Sequence, residues 1–344
     1  MELTEIKRQL QDHLSDGLVV VVGSGLSLAE GIPGMPALAD HLKNKVPSRL
    51  HADSKQIWAG IENCLDAGEG LERALHKNIP DARLEELIAE LTIELLMPLE
   101  EEIIRDVLTG KRSLRFERLL KHLLKPNSGI PVVTTNYDRL IEVAAEMSGL
   151  GVDTLFVGNH VGRFDRSESQ YSLCREIIKR PKGIYLKYAE HVVVLKPHGS
   201  FDWFNVDGRL YRSFVQLDSQ PLIITPGVNK YRNGYERPFD EHRDRANDAL
   251  RKADRYLIVG YGFNDDHLQV HLVQQLKSGK PAVILTHSLT PEAKAMLQGC
   301  AGTIVVCADE NSGGTQVITA ESQAIFESTK FWDLGDFVEE VLEP

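Results

Sequence analysis

The sequence predicts a doubly wound α/β fold, a parallel sheet covered by helices and interrupted by an inserted helical module. Three observations predict it. Short, continuous, β-branched apolar runs recur along the chain. Segments of helical periodicity separate them. Several runs end in Gly-containing turns, where an open α/β sheet binds its ligands.

The first run, Leu18-Val19-Val20-Val21-Val22, has no polar face and reads as a strand buried on both sides. Similar runs are Pro131–Thr134, Val192–Leu195, Leu222–Thr225, Tyr256–Val259, Ala282–Leu285 and Thr303–Val306. Leu3, Ile6, Leu10 and Leu14 give a helix before the first strand. Tyr137–Met147 and Asp265–Leu276 give two more, the second opened by Asn264 or Asp265. Thr290 and Pro291 are an N-cap and first-turn proline for another.

From Ala37 to Lys125 the pattern is helical throughout. Leu84, Leu87, Ile88, Leu91 and Leu95 share a face, and Pro98 is expected to break that helix. Ile103, Ile104, Val107 and Leu108 repeat the pattern, and Leu119, Leu120, Leu123 and Leu124 close it. The expected division is a nucleotide-binding α/β domain of 1–36 and 126–344, with 37–125 as the inserted module. Gly158–His191 reads as irregular.

The 344 residues are 42% hydrophobic and 26% charged, as in a globular protein with a real core. The formal net charge of −11 argues against a grip on long nucleic acid, which needs a basic excess to displace counterions. The local basic patch Lys111, Arg112 and Arg115 reads as a solvated helix end. Cys64, Cys174, Cys300 and Cys307 form no CxxC pair, so neither a zinc site nor a disulfide framework is expected. No signal-peptide or membrane-spanning pattern stands out, and a cytoplasmic location is expected.

Four strand-end segments carry candidate chemistry. Gly23-Ser24-Gly25-Leu26-Ser27 and Gly31-Ile32-Pro33 follow the first strand, where glycines allow a sharp turn and a close approach of backbone amides to a diphosphate. A plain strand-to-helix turn reads equally well. Thr135, Asn136 and Asp138 end the second strand, and an amide with a carboxylate can hold ribose and carboxamide groups. A helix cap is the alternative. His198-Gly199 follows a later strand and suits proton transfer near neutral pH, although one of 12 histidines can fall there by chance. Gly260-Tyr261-Gly262 is a second Gly-containing strand end. Asp265, Asp266 and His267 follow it, and adjacent helical residues do not converge on a metal.

Taken in order from Val19 to about His287, these segments resemble the sirtuin family, whose sheet is Rossmann-like, and especially its bacterial anti-phage branch. Gly23–Ser27 with Ile32-Pro33 resembles the family's diphosphate-wrapping segment. Thr135-Asn136-Tyr137-Asp138 resembles its Asn/Asp strand end, where Asn serves the nicotinamide ribose and Asp the carboxamide. His198-Gly199 resembles the catalytic His-Gly. Gly260-Tyr261-Gly262 and His287 fall where the family touches the adenosine side. The sequence departs from deacylating sirtuins at Gly34-Met35-Pro36, at Thr135, and in lacking a four-cysteine ribbon.

The resemblance implies NAD as substrate and an NAD glycohydrolase releasing nicotinamide and ADP-ribose, with Asn136, Asp138 and His198 catalytic and no metal. It implies NAD depletion in anti-phage defence, and so control by homo-oligomer assembly or by a partner, a HerA-type ATPase or nucleic-acid-sensing defence protein. The segment 37–125, with its long amphipathic helices, is the candidate contact surface. A protein deacylase or ADP-ribosyltransferase, and a non-catalytic NAD or ADP-ribose sensor, are the alternatives.

Overall fold

The computed structural model describes residues 2–158, 160–227, 236–263 and 266–343. Helix α1 (Leu3–His13) leads into β1 (Leu18–Val22), whose four valines are all buried. Six helices then intervene before the next strand. They are α2 (Ser24–Glu30), α3 (Met35–Arg49), α4 (Lys55–Asp66), α5 (Leu71–Lys77), α6 (Ala82–Leu108) and α7 (Arg115–Leu120). Next come β2 (Ile130–Thr134), α8 (Leu140–Met147), β3 (Gly151–Asp153), β4 (Phe156–Val157), β5 (Val161–Phe164) and α9 (Arg166–Ser172). A hairpin of β6 (Cys174–Arg180) and β7 (Gly183–Tyr188) precedes β8 (His191–Leu195), β9 (Trp203–Val206) and β10 (Arg209–Ser213). The last strands are β11 (Arg255–Val259), β12 (Ala282–Thr286), β13 (Thr303–Ala308), β14 (Thr315–Ile318) and β15 (Gln323–Phe326). Helix Phe239–Lys252 precedes β11, and helices Asp266–Lys277 and Pro291–Leu297 follow β11 and β12.

One nine-stranded sheet has the order β15-β14-β13-β12-β11-β1-β2-β8-β3. It is parallel from β13 to β3, and β14 and β15 join antiparallel. The chain builds outward from β1 through β2 to β8, then returns to the other side of β1 as β11. That reversal leaves a crevice at the carboxyl ends of β1 and β11, the place where open α/β sheets bind ligands. The fold class is therefore the one the sequence predicts.

Six of the seven expected runs are sheet strands; Leu222–Thr225 is not. It makes one isolated bridge, Ile223 to Gly199, and its amides at Leu222 and Ile224 donate to Trp203 and His198. The run is apolar because it packs on the turn after β8, not because it enters the sheet. Gly158–His191 is more ordered than its pattern suggests, holding β5, α9 and the β6–β7 hairpin.

Pro98 does not end its helix, and α6 runs unbroken through it. The proline sits on the exposed side, so its missing N–H falls where water can satisfy the freed carbonyl. Buried residues on both sides, Ile93 and Leu96 before it and Ile103 and Ile104 after it, hold the helix together. Helical residues up to Leu91 form their own core with Leu38, Leu42 and Trp58, whereas Ile93 onward packs with the sheet. The change from one core to the other thus falls inside α6. Thr290 caps its helix as expected, accepting from the Ala293 amide at 3.1 Å. The expected opening at Asn264 or Asp265 lies outside the described residues.

The two Gly-containing strand ends touch. A Cβ on Gly25 would lie 2.7 Å from the Gly260 Cα, and Gly260 itself adopts φ +59°. We predict that Gly260→Ala lowers unfolding free energy by about 2 kcal/mol or more through left-handed strain and overlap with the Leu26 amide. Chemical denaturation of the variant checks this.

Candidate functional site

β1, β2, β8 and β11 deliver their carboxyl-end residues to one open cleft. From the expected set, Gly23, Ser24, Ser27, Ile32, Pro33, Thr135, Asn136, Asp138, His198, Tyr261 and Gly262 line it. Gly25 and Gly260 lie behind the wall, packed on each other. His287 does not line the cleft. It is exposed beyond β12, with its ring edge-on to Trp332 at 4.9 Å.

Ser27 joins the first two motifs. Its hydroxyl donates to Asp138 Oδ2 at 2.6 Å and accepts from Asn136 Nδ2 at 2.7 Å. Asn136 Nδ2 also donates to the Gly23 carbonyl at 2.9 Å. Both protons of that amide are thereby committed, so the amide orientation is set and Oδ1 remains as its acceptor. Asp138 Oδ1 accepts from the Leu140 amide at 3.2 Å, an Asx turn just ahead of α8, whose N-cap is Arg139 without a side-chain cap. Asp138 lines the cleft and is not the helix cap.

The expected supply of free turn amides is reduced. Gly23, Gly25 and Leu26 donate to the carbonyls of Val259, Gly260 and Gly23. The strand ends are stitched together with the same groups that would otherwise face a phosphate.

His198 is set by its own backbone. Its carbonyl accepts from Ile224 at 2.9 Å, and Gly199 turns with φ +89°, with the Leu222 carbonyl 2.1 Å from where a Cβ would sit. Only glycine fits that turn.

Behind the cleft lies a buried ionic network. Arg139 donates from Nη2 to Glu100 Oε2 at 2.6 Å, and its backbone amide also bonds Glu100. Lys196 pairs with Glu142 at 2.8 Å and donates to the Asp138 carbonyl. Arg212 donates to Asp202 at 2.7 Å. Burial pushes the Asp202 carboxyl up, but Arg212, Lys196 and Arg139 outweigh it and hold it below the usual range. His242 accepts the Lys196 amide at 3.1 Å, and burial, aided by Arg245 and Lys196, lowers its pKa to about 3.

Sequence reasoning missed these charges, and also the cleft-lining Met35, Leu38, Glu72, Leu96 and Phe201. A signal existed only for some. Glu142 interrupts the apolar run Leu140-Ile141-Val143-Ala144, and Glu100 sits among buried aliphatics of α6. The patch Lys111, Arg112 and Arg115 is consumed by Asp106, Glu30 and Asp333. Among the described residues no group of His, Cys, Asp or Glu could hold a metal, and no helix could cross a membrane. Asp265 lies outside the described residues, as do the side chains of Asp266 and His267.

The fold and cleft define a doubly wound α/β protein with a ligand crevice at its switch point. Residues 131–298 match the family model described as a SIR2-like domain. That segment carries Asn136, Asp138, His198 and Gly260–Gly262, and the Gly23–Ser27 turn lies outside it. Comparison with curated proteins finds no match. The chain is similar to a structure from work on the structural basis of sirtuin substrate affinity, at 16% identity over 100% of this chain and 99% of that one, TM-score 0.48. It is also similar to Sir2 bound to acetylated peptide, at 12% identity over 100% and 98%, TM-score 0.44.

Two predictions follow from the network. Glu100→Ala leaves Arg139 buried and unpaired, which should cost about 3–5 kcal/mol in denaturant titrations. His242 is neutral when folded and takes a proton on unfolding at any pH between its folded value of about 3 and 6.5. Its contribution is full above 6.5 and is lost as pH falls. Stability should therefore drop by about 2 kcal/mol between pH 7 and pH 5, and His242→Gln should flatten that part of the profile.

Proposed function

We propose that this chain binds NAD across the β1–β11 switch point and hydrolyses the ribose–nicotinamide bond. The observation that carries the reading is the meeting of Asn136, Asp138 and His198 with Ser27 and Ile32-Pro33 in one cleft. A SIR2-like domain supports an NAD-utilising enzyme in that cleft.

Breaking this bond builds positive charge on the ribose. Among the described residues, Asp138 and Glu72 line the cleft and no lysine or arginine does, a balance that favours a cationic transition state. Asn136, with its amide protons committed, presents Oδ1 to a ribose hydroxyl or the attacking water. Asp138 takes the carboxamide N–H and orients the ring for departure. Water adds to the anomeric carbon, its proton passes to His198, and nicotinamide leaves neutral with the bonding pair on its ring nitrogen.

Such an enzyme drains a shared cofactor and must be restrained. In this reading 37–125 is the regulatory module, because its Leu38, Glu72 and Leu96 form part of the cleft wall. A partner on those helices, of HerA-type ATPase or nucleic-acid-sensing kind in an anti-phage system, would act on the cleft directly.

The test is chromatography of NAD incubated with the purified chain, beside Asn136→Ala and His198→Ala. Nicotinamide and ADP-ribose should accumulate with the wild type and fall by at least about 10²-fold in each variant. Undiminished products in both variants would overturn the assignment. Turnover only with an acetyl-lysine peptide would make the chain a deacylase.

A further inference from the structure

The β6–β7 hairpin forms its own two-stranded sheet and joins no other. Its root is fixed: Asn127 donates to the Leu186 carbonyl at 3.0 Å and accepts the Tyr188 amide at 2.9 Å. Its far end is the turn Pro181-Lys182, between the paired Arg180 and Gly183. Residues 179–185 are exposed throughout. A lone two-stranded ribbon is marginally stable in water, so a bare one of this length marks a surface that another molecule covers.

Charge says what covers it. Arg175, Lys179, Arg180, Lys182 and Lys187 stand on the hairpin against Glu176 alone, while the whole chain has 39 basic and 50 acidic residues. All five basic side chains belong to exposed residues, and among the described residues none is spent in an ion pair. The Arg180 guanidinium lies over the Tyr185 ring at 4.6 Å, which steadies it without neutralising it. The ligand is therefore a polyanion, and the acidic body turns it toward the hairpin alone.

The distribution of that charge narrows the polyanion. Opposed residues of an antiparallel pair share a face. Lys179 stands on one face with Ile177, Ile184 and Leu186, whereas Arg180 and Lys187 stand on the other, and Lys182 is in the turn. A flat acidic protein surface would meet one face and leave the other's charge unused. A groove with phosphates on both walls meets both faces and the tip at once. The major groove of duplex DNA admits a two-stranded ribbon. Its apolar contacts are base edges and thymine methyl groups, and Ile177 and Ile184, 65% and 68% exposed, are placed for them. The deep, narrow major groove of duplex RNA would not admit the ribbon. Seven residues per strand span about 23 Å, so the footprint is short, which agrees with the acidic net charge.

We propose that the β6–β7 hairpin is a DNA-binding arm that enters the major groove of a duplex tip first, with its basic side chains on the phosphates of both walls. The inference does not depend on the NAD reading.

Fluorescence anisotropy of a labelled DNA duplex, titrated with the full-length chain at several salt concentrations, tests it. The wild type should bind with a dissociation constant of about 1–100 μM near physiological salt, and log affinity should fall against log salt with a slope of about −4, from four or five phosphate contacts. Lys179→Ala with Lys182→Ala should weaken binding at least about tenfold and make the slope shallower by about two, at an unchanged melting temperature. Lys121→Ala with Lys330→Ala, exposed lysines of the body, should leave affinity unchanged. Absence of binding by the wild type at low salt would overturn the proposal, as would full affinity in the hairpin variant. Duplex RNA bound as tightly as DNA would also overturn it. Equally tight binding of polyglutamate would overturn it in favour of an acidic protein partner.

Discussion

Asp138 is held from three directions. Its carboxylate takes the Ser27 hydroxyl, its carbonyl takes the Lys196 ammonium, and the amide after it goes to Glu100. These partners come from α2, the end of β8 and the middle of α6, so one residue gathers three distant stretches of sequence. The charges behind it are costly to bury and are kept only because each is paired. The network is thus a constraint more than a source of stability. Loss of one partner strands another charge directly behind the candidate catalytic groups.

The same constraint explains why the helical stretch matters to the cleft. α6 belongs to two cores, one with the helices before it and one with the sheet. Glu100 lies in the half that packs on the sheet, and Leu96, one turn earlier, lines the cleft. Any tilt of α6 would move a wall and an anchor together. The polar groups at the β1–β11 junction are likewise used twice, stitching strand ends as well as shaping the pocket floor.

Much of this was legible in the sequence. A strand buried on both faces must be apolar throughout, so β1, β2, β8, β11, β12 and β13 announce themselves. The Gly-containing turns and the Asn136, Asp138 and His198 positions follow, because ligands gather at carboxyl ends of strands. What stayed hidden depends on tertiary neighbours. Leu222–Thr225 has the composition of a strand but pairs with a turn, a distinction an apolar run cannot carry. Pro98 survives because its helix turns it toward water. The β6–β7 hairpin lacks a buried face and so lacks the alternation that would reveal it. His287 follows a correctly read strand, and the next ring to it is Trp332, which the strand pattern does not reveal.

In the proposed mechanism Ser27 holds Asn136 and Asp138 in the geometry for attack on NAD. Nicotinamide release by Ser27→Ala, measured beside the wild type with both chains folded, tests it most directly. The wild type should release nicotinamide and the variant should lose at least about tenfold, the effect of one misplaced polar group at a reacting centre. Equal release by the two chains would contradict it.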